Sequence, residues 1–278
     1  MTSATCARLP DGRLHLHHGP IDIIAQAWGS PASVASGEAR MVARFGSVLA
    51  ELASELPELR RESGQPTGPI AQLMVRATTV FTPAFITPMA AVAGAVADVL
   101  LAELAVPGVR RAYVNNGGDI ALHLDPGESL SCAIAARPGM PDRVTLRAED
   151  TVRGIATSGW RGRSWSCGIA DSVSVLAKTS AMADAAATMI ANAVNLPDHP
   201  GITRRPAHQM QTDSDLGARL VTVAVSGLTE ADRFRALNAG EAAAEAFRSQ
   251  GLIEAAALFL HPEVRTLGPL ALKELTCV

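Results

Sequence analysis

The sequence has few aromatic residues and no excess of either charge. Aromatic residues make up 4% of the 278 residues and hydrophobic residues 48%, so the core must be built mainly from Ala, Val, Leu and Ile. The 24 basic and 27 acidic residues give a net charge of −3. A general nucleic-acid-binding protein would show a basic excess, so this class of protein is disfavoured.

Cysteine is also scarce. Cys6, Cys132, Cys167 and Cys277 are far apart and form no C-x-x-C pair, which disfavours a zinc knuckle or a redox motif. The stretch from Met1 to Arg13 lacks the apolar core of a secretory signal. We therefore expect a reduced, cytoplasmic chain.

One long apolar run, Ala84–Ala102, contains Pro88 near its start and Asp98 near its end. Because charge is costly at membrane depth, we predict a buried helix and no transmembrane segment. The Thr87-Pro88 pair is typical of a helix start, and we expect this helix to end near Leu104. Gly94 inside it costs about 1 kcal/mol relative to Ala. Gly94 therefore indicates either close packing on a sheet, which composition favours, or close approach of a ligand.

Periodicity predicts further elements along the chain. Helical spacing is found in Ser36–Arg61 and Thr179–Asn195, while Ile70–Val80 fits either a helix or a strand. Leu196–Gly217 is polar and too long for an ordinary connection, so we expect a functional flap or a disordered segment. Strands are predicted in Ala7–Gly29 (a hairpin), Arg111–Leu124 (two strands around a corner), Leu130–Arg137, Val144–Leu146, Thr151–Ala156, Ser172–Ala177, Arg219–Val225 and Ile253–Leu260.

Three short segments place small residues beside oxygen-bearing ones: Asn115–Asp119, Gly154–Gly159 and Asp184–Thr188. Asp184 and Thr188 are four residues apart on a predicted helix, so both lie on one face. A carboxylate and a hydroxyl are hard ligands that suit Mg²⁺. Structural roles, a favourable helix dipole for Asp184 and a backbone hydrogen bond for Thr188, are favoured by the spacing alone.

The two glycine-containing corners have two interpretations each. Asn115–Asp119 requires positive φ and fits a hairpin turn, but its N–H groups could also meet a phosphate. Thr157–Gly159 is a similar cluster of donors. The sequence has no Walker loop, no dinucleotide fingerprint and no Gly-x-Ser-x-Gly elbow, so Ser158 has little support as a nucleophile.

The motifs, taken together, resemble a known family. Asn115–Asp119, Gly154–Gly159 and Ala183–Thr188, in this order and at this spacing, are similar to the ApbE superfamily of flavin transferases. Pro88–Gly94 and Gly168–Val173 resemble its short, signal-less, poorly characterised branch in particular.

This resemblance implies an α+β fold with a mixed sheet, packed helices and a flavin-nucleotide cleft. Residues 1–278 would form one domain or two closely packed halves. It also implies Mg²⁺-dependent chemistry on FAD, either attaching FMN to a Thr of a target flavoprotein or hydrolysing FAD to FMN and AMP. The Asp-x-x-x-Thr metal motif of the family matches Asp184 and Thr188. Its nucleotide-contacting loops match Asn116, Gly117, Gly118, Asp119, Thr157, Ser158 and Gly159.

The sequence departs from the family in one segment. Typical transferases carry His-x-x-Asp-Pro-x-Thr-Gly before the metal helix, whereas Ser164–Asp171 lacks the His and the Pro-x-Thr-Gly. Asp171 is the remaining candidate for a catalytic base. The lipoprotein signal of many members is also missing, so we expect either a cytoplasmic target or a transferase activity that has been lost or replaced.

We therefore expect a Mg²⁺-dependent, ApbE-like enzyme that cleaves the pyrophosphate of FAD or a related nucleotide. A non-catalytic protein that binds flavin or another small molecule stays open, as does a different reaction on the same scaffold. The expected partners are a nucleotide and, for transfer, a target flavoprotein, but neither nucleic acid nor membrane. Ala-lined helices suit packing between subunits, which favours a homodimer.

Overall fold

The structure is a computed structural model that describes residues 3–137 and 140–269, so Cys277 lies outside the described residues. The helices are α1 (Pro31–Ser54), α2 (Leu56–Leu59), α3 (Pro69–Thr79), α4 (Val92–Leu104), α5 (Ser180–Ala193), α6 (Ala207–Met210) and α7 (Glu230–Ser249), with a 3-10 turn at Pro88–Ala91. The strands are β1 (Thr5–Arg8), β2 (Leu14–His18), β3 (Ile21–Gly29), β4 (Val109–Asn116), β5 (Asp119–Leu124), β6 (Ser129–Arg137), β7 (Met140–Arg147), β8 (Gly154–Ser158), β9 (Ser172–Ala177), β10 (Ile202–Pro206), β11 (Leu220–Val225), β12 (Ala255–Leu260) and β13 (Glu263–Leu267).

The chain divides into two compact units. The first unit comprises residues 1–130, 145–156 and 177–184. Its strands are hydrogen-bonded in the order β1-β2-β3-β4-β5-β8, and neighbouring strands run antiparallel. Helix α1 packs on β2 and β3, and α4 packs on β4 and β5.

Helix α1 follows from its sequence. Ser30 caps the helix by accepting the N–H of Ser33, and Pro31 occupies the first turn, where its missing N–H does no harm. Phe45, Val48 and other apolar residues at intervals of three and four form the buried face of α1, as predicted. The predicted helix over Ser36–Arg61 is confirmed, with α2 as a separate short end.

The apolar run predicted as a buried helix forms the 3-10 turn and α4, and in the described residues no helix is long and apolar enough to cross a membrane. Gly94 packs against a helix rather than a sheet, because a Cβ at this position would lie 2.3 Å from the carbonyl oxygen of Ser180 in α5. The expectation of packing on a sheet was therefore wrong, because the packing partner of Gly94 is helix α5. Ile70–Val80, left open between helix and strand, lies almost entirely in helix α3.

The second unit comprises residues 131–144, 157–176 and 185–278. Here β9, β12 and β13 are neighbouring antiparallel strands, and α7 packs on β12 and β13. The segment Leu196–Gly217 contains β10, which pairs with β11, and the short helix α6. The alternative of a disordered segment was therefore wrong, because the strand hydrogen bonds fix this backbone.

Both units combine helices with antiparallel strands, which confirms the α+β class. The expectation of one domain over residues 1–278 stays a prediction. Helix α7 begins with a capping box, in which Thr229 and Asp232 exchange hydrogen bonds with each other's backbone N–H.

Candidate functional site

Asp184 belongs to α5 but caps the start of α4. Its Oδ2 accepts the N–H of Gly94 at 3.0 Å, and the N–H of Ala93 also stabilises its carboxylate. These amides lie in the first turn of α4, where the N-cap residue Ala91 makes no side-chain hydrogen bond. Asp184 therefore satisfies donors that a helix start leaves unpaired, and its negative charge lies at the positive end of the α4 dipole.

Asp98, in the second turn of α4, caps α5 in the same way. Its Oδ1 accepts the N–H of Ser180 at 3.0 Å, and its Oδ2 accepts the N–H of Ala181 at 2.9 Å. The next two N–H groups of α5 donate to the side-chain and carbonyl oxygens of Thr179. All four N–H groups that open α5 thus have acceptors within the protein, so this helix end does not offer a phosphate site.

Two neighbouring carboxylates of the first unit raise the pKa of Asp184. Burial raises the pKa of Asp184 well above its usual value, and the charges of Asp119 and, to a lesser degree, Asp98 raise it further. Burial also raises the pKa of Asp98 to about 6, although its two N–H donors oppose the shift. Asp119 is only 9% exposed. Neutralising these like charges, with a proton or a bound cation, is therefore favourable.

The corner between β4 and β5 is a tight hairpin turn, as predicted. Gly117 and Gly118 have φ values of 66° and 120°, and two positive values are what a type I′ turn requires. The N–H of Gly118 donates to Oδ1 of Asn115 at 2.8 Å. This N–H is therefore engaged within the turn, which counts against the predicted role of Gly118 as a phosphate donor.

The hairpin is tied to the start of α4 by Asn116. Its Nδ2 donates to the carbonyl oxygen of Ala93 at 3.1 Å, and Asn116 itself is only 8% exposed. Asn116 pairs with Asp119 across the turn. The first unit therefore brings Asn116, Asp119 and Asp184 together, and their roles in a common site stay a prediction.

The chemistry of these donors fits Mg²⁺ better than a transition metal. Asp119 and Asp184 offer hard carboxylate oxygens. Among the residues that the structure describes, no group of three or more His, Cys, Asp or Glu side chains could hold a metal ion. Mg²⁺ commonly uses one or two carboxylates and takes its other ligands from waters and substrate phosphates, so two carboxylates suffice.

Thr188 is the other residue predicted to bind metal. It is four residues after Asp184 on α5, so the predicted helical spacing is confirmed. Its side chain is half-buried. Its role as a metal ligand stays a prediction.

The Thr-Ser-Gly corner at the end of β8 lies in the second unit. The hydroxyl oxygens of Thr157 and Ser174 are hydrogen-bonded at 2.8 Å. A Cβ at Gly159 would lie 2.5 Å from the carbonyl oxygen of Asp171, so close packing alone requires this glycine. The nucleotide-binding role of Thr157, Ser158 and Gly159 stays a prediction.

Asp171, the predicted catalytic base, has both carboxylate oxygens engaged. Its Oδ1 accepts from Nε of Arg161 at 2.5 Å, and its Oδ2 accepts the N–H of His261 at 2.7 Å. Arg161 also stacks over the ring of Trp160. These contacts give Asp171 a structural role, and its catalytic role stays a prediction.

Asp98 was not predicted as a site residue. The sequence carries a weak signal for it: Gly94 and Asp98 in α4, and Ser180 and Asp184 in α5, both place an Asp four residues after a small residue. Such spacing alone is common. Only the packing of the two helices shows that each Asp accepts hydrogen bonds from the other helix.

These features define an α+β protein with a carboxylate cluster where two helices begin. A family model described as "AbpE bacteria" matches residues 6–266, and this chain therefore belongs to that bacterial family. The resemblance inferred from the motifs is thus confirmed at the level of the family.

Related proteins are found in methanogenic archaea. A UPF0280 protein of Methanothermobacter thermautotrophicus is 35% identical over 206 residues, which cover 63% of this chain and 75% of that protein. A UPF0280 protein of Methanothrix thermoacetophila is 38% identical over 129 residues, which cover 45% of this chain and 52% of that protein. A third, from Methanopyrus kandleri, is 35% identical over 136 residues, 49% of this chain and 54% of that protein. The matched segment thus spans about half the length of the latter two relatives.

Two solved structures are similar to this chain at low sequence identity. The apo form of the flavinyl transferase ApbE of Pseudomonas stutzeri has 14% identity and a TM-score of 0.47, with 95% of this chain and 93% of that chain covered. A mutant of the flavin transferase ApbE from Vibrio cholerae has 15% identity and a TM-score of 0.45, with 96% and 97% covered.

Proposed function

We propose that this chain is a Mg²⁺-dependent enzyme that cleaves the pyrophosphate of FAD or a related flavin nucleotide. The observation that carries the proposal is the pair of like charges at the start of α4, the buried Asp119 and the half-buried Asp184, in a member of this family. Asp119 raises the pKa of the neighbouring Asp184, so a bound cation between the two carboxylates is favourable, and a hard cation suits a pyrophosphate substrate.

The bond changes are the same for hydrolysis and for transfer. The oxygen of water, or of a threonine hydroxyl on a target flavoprotein, forms a bond to the phosphorus on the FMN side and gives up its proton. The bond from that phosphorus to the bridging oxygen breaks, and AMP leaves with this oxygen. The products are FMN and AMP, or FMN joined to the threonine and AMP.

Mg²⁺ would supply positive charge against the pyrophosphate and the leaving AMP. Asp119 and Asp184 would hold it, with Thr188 as the further predicted ligand. The N–H groups of Ala93 and Gly94 orient Asp184, and Asn116 keeps the hairpin that carries Asp119 against α4.

The nucleotide contacts are a further part of the proposal, and Asp171 is only a conditional candidate for the base. Thr157, Ser158 and Gly159 would contact the nucleotide, together with Gly117 but not the N–H of Gly118, which donates to Asn115. Asp171 would act as the base only if a substrate displaced Arg161 or the N–H of His261 from its oxygens.

A second candidate function is a flavin-binding protein without catalytic activity. Two observations favour it: the His segment of typical transferases is missing, and both oxygens of Asp171 are occupied. This function predicts that the protein retains flavin without converting it.

Incubation with FAD tests the proposal and its rivals together. Purified protein is incubated with FAD and Mg²⁺, and the products are separated by chromatography. We expect FMN and AMP in equal amounts, no products with a chelator, and at least about 100-fold slower cleavage by Asp184→Asn, because this variant would hold less tightly the Mg²⁺ that stabilises the transition state. Asn retains an oxygen that can accept the N–H of Gly94, so this variant tests the charge rather than the cap.

The matched control is Glu55→Gln, which alters a carboxylate that caps another helix of the first unit. Glu55 accepts the N–H groups of Thr67 and Gly68 at the start of α3, and its variant should cleave FAD like the wild type. FAD left intact by wild-type protein with Mg²⁺ would refute the proposal. A flavin spectrum without turnover would then favour the binding protein, and neither binding nor cleavage would favour a different substrate.

A further inference from the structure

Asp98 and Asp184 form a reciprocal pair of caps. Asp98 on α4 accepts the N–H groups of Ser180 and Ala181, which open α5. Asp184 on α5 accepts the N–H of Gly94, which lies in the first turn of α4. In each helix, the residue that donates its N–H and the Asp that accepts lie one helical turn apart. Hydrogen bonds therefore join the two helices at two places, one turn from each other.

We infer that Asp98 is a positioning residue for Asp184. By holding the first turn of α5, it fixes the place at which the Asp184 carboxylate meets α4 and the neighbouring Asp119. The inference rests on the proposed function, because it takes Asp184 to be a metal ligand.

The contact between α4 and α5 explains why the two hydrogen bonds that Asp98 accepts from α5, here called the clamp, are needed. Gly94 and Ser180 meet backbone to backbone, since a Cβ at position 94 would lie 2.3 Å from the Ser180 carbonyl oxygen. The three atoms nearest to a Cβ at position 94 are all backbone, and the hydrogen bonds accepted by Asp98 and Asp184 join the two helices here. The Ser180 hydroxyl does not replace the clamp, because its oxygen is buried and has no hydrogen-bond partner in the part of the chain that the structure describes.

Asp98→Asn tests this role with little change in shape. An Asn can accept one N–H of α5 but presents an NH₂ group where the second N–H points, so the double clamp is lost. The matched control is again Glu55→Gln, which weakens the cap of α3 in the same unit. Both variants should lower the unfolding midpoint, so stability alone does not separate a positioning residue from an ordinary cap.

Two measurements distinguish a positioning residue from an ordinary helix cap. Titration with Mn²⁺, followed by electron paramagnetic resonance, should show about 10- to 100-fold weaker binding for Asp98→Asn, the range seen when groups that orient metal ligands are removed. Glu55→Gln should bind Mn²⁺ as the wild type does. Hydrogen exchange of the Gly94 amide should be faster in Asp98→Asn and unchanged in Glu55→Gln, because the Gly94–Asp184 bond loosens only when α5 shifts.

The possible outcomes are distinct. Unchanged Mn²⁺ affinity in Asp98→Asn would overturn the inference and leave the proposed function standing. Wild-type protein that binds no Mn²⁺ would refute the proposed metal site. The hydrogen-exchange rate of the Gly94 amide would then decide whether Asp98 is a positioning residue. Faster exchange in Asp98→Asn would still support a positioning role for Asp98, whereas unchanged exchange would overturn it.

Discussion

Gly94 lies against the backbone of Ser180, and a Cβ built at position 94 would stand 2.3 Å from the Ser180 carbonyl oxygen and 2.7 Å from the nitrogen of Ala181. All of these atoms belong to backbone, so neither helix can make room by a side-chain rotation. We expect Gly94→Ala to lower the free energy of unfolding by about 1–3 kcal/mol, the usual cost of an overpacked interior. Because the same shift would break the hydrogen bond from Gly94 to Asp184, Mn²⁺ binding should weaken as well.

Gly46→Ala is the control for helix propensity. Gly46 is exposed in the middle of α1, and a Cβ there would meet nothing within 4 Å. This variant should be more stable than the wild type by about 0.5–1 kcal/mol, because Gly is the poorer helix former. Denaturant unfolding of both variants measures the contrast, and a Gly94→Ala protein as stable as Gly46→Ala would contradict the close contact.

Asp98 should make stability depend on pH in an unusual direction. Its pKa is about 6 in the folded protein and 3.8 without burial, so between these values the folded state holds a proton that the unfolded state has lost. The free energy of unfolding must therefore fall as pH rises through this window and level off above it. Two pKa units correspond to about 3 kcal/mol, which is the upper limit of the effect.

Comparison with Asp98→Asn removes the contribution of the groups that titrate alike in both proteins. Urea unfolding between pH 4 and pH 7, with a chelator present, gives the stability of both proteins. We expect the wild type to lose stability relative to Asp98→Asn by up to about 3 kcal/mol between pH 4 and pH 6. A difference that stays constant over this range would show that Asp98 titrates normally.

Local signals explain which parts of the site could be predicted. The Gly117-Gly118 turn follows from the backbone preferences of these residues and is found in the structure, whereas Pro88 opens a 3-10 turn and α4 begins at Val92. The role of Asp98 could not be predicted, because its N–H partners are 82 and 83 residues away in sequence. The spacing of Asp184 and Thr188 suits a metal but by itself favours structural roles, so the predicted metal role of Asp184 depended mainly on the family resemblance.

The segment Leu196–Gly217 was misjudged for a similar reason. Its strand β10 has only 5 residues, and the register with β11 shifts between Thr203 and Arg204. Such a short, irregular strand has little periodicity, so its sequence resembles a loop. The partner strand β11, more than a dozen residues away, stabilises it.

The ion pair between Asp171 and Arg161 gives a test of the predicted base. Asp171→Asn and Arg161→Gln each remove one side of this contact, and Arg161 is the more exposed partner. Because both Asp171 oxygens already accept hydrogen bonds, we expect both variants to lower the unfolding midpoint and to cleave FAD within a few-fold of the wild type. A loss of more than about 100-fold in Asp171→Asn alone would instead support a role as general base.

Substitutions at the two glycines of the β4–β5 turn distinguish the cost of backbone strain from the cost of a side-chain contact. Gly117 has a φ of 66°, in the left-handed region that Asn tolerates, whereas the φ of 120° at Gly118 lies outside it. We expect Gly117→Asn to change the free energy of unfolding by less than about 1 kcal/mol and Gly118→Asn to lower it by about 1–3 kcal/mol, the cost of a strained residue. A Cβ at Gly118 meets nothing within 4 Å, so the cost arises from the backbone alone.

Since Asp119 follows directly, Gly118→Asn should also weaken Mn²⁺ binding more than Gly117→Asn does. Equal effects of the two variants in unfolding and in Mn²⁺ titration would show that the turn does not position Asp119.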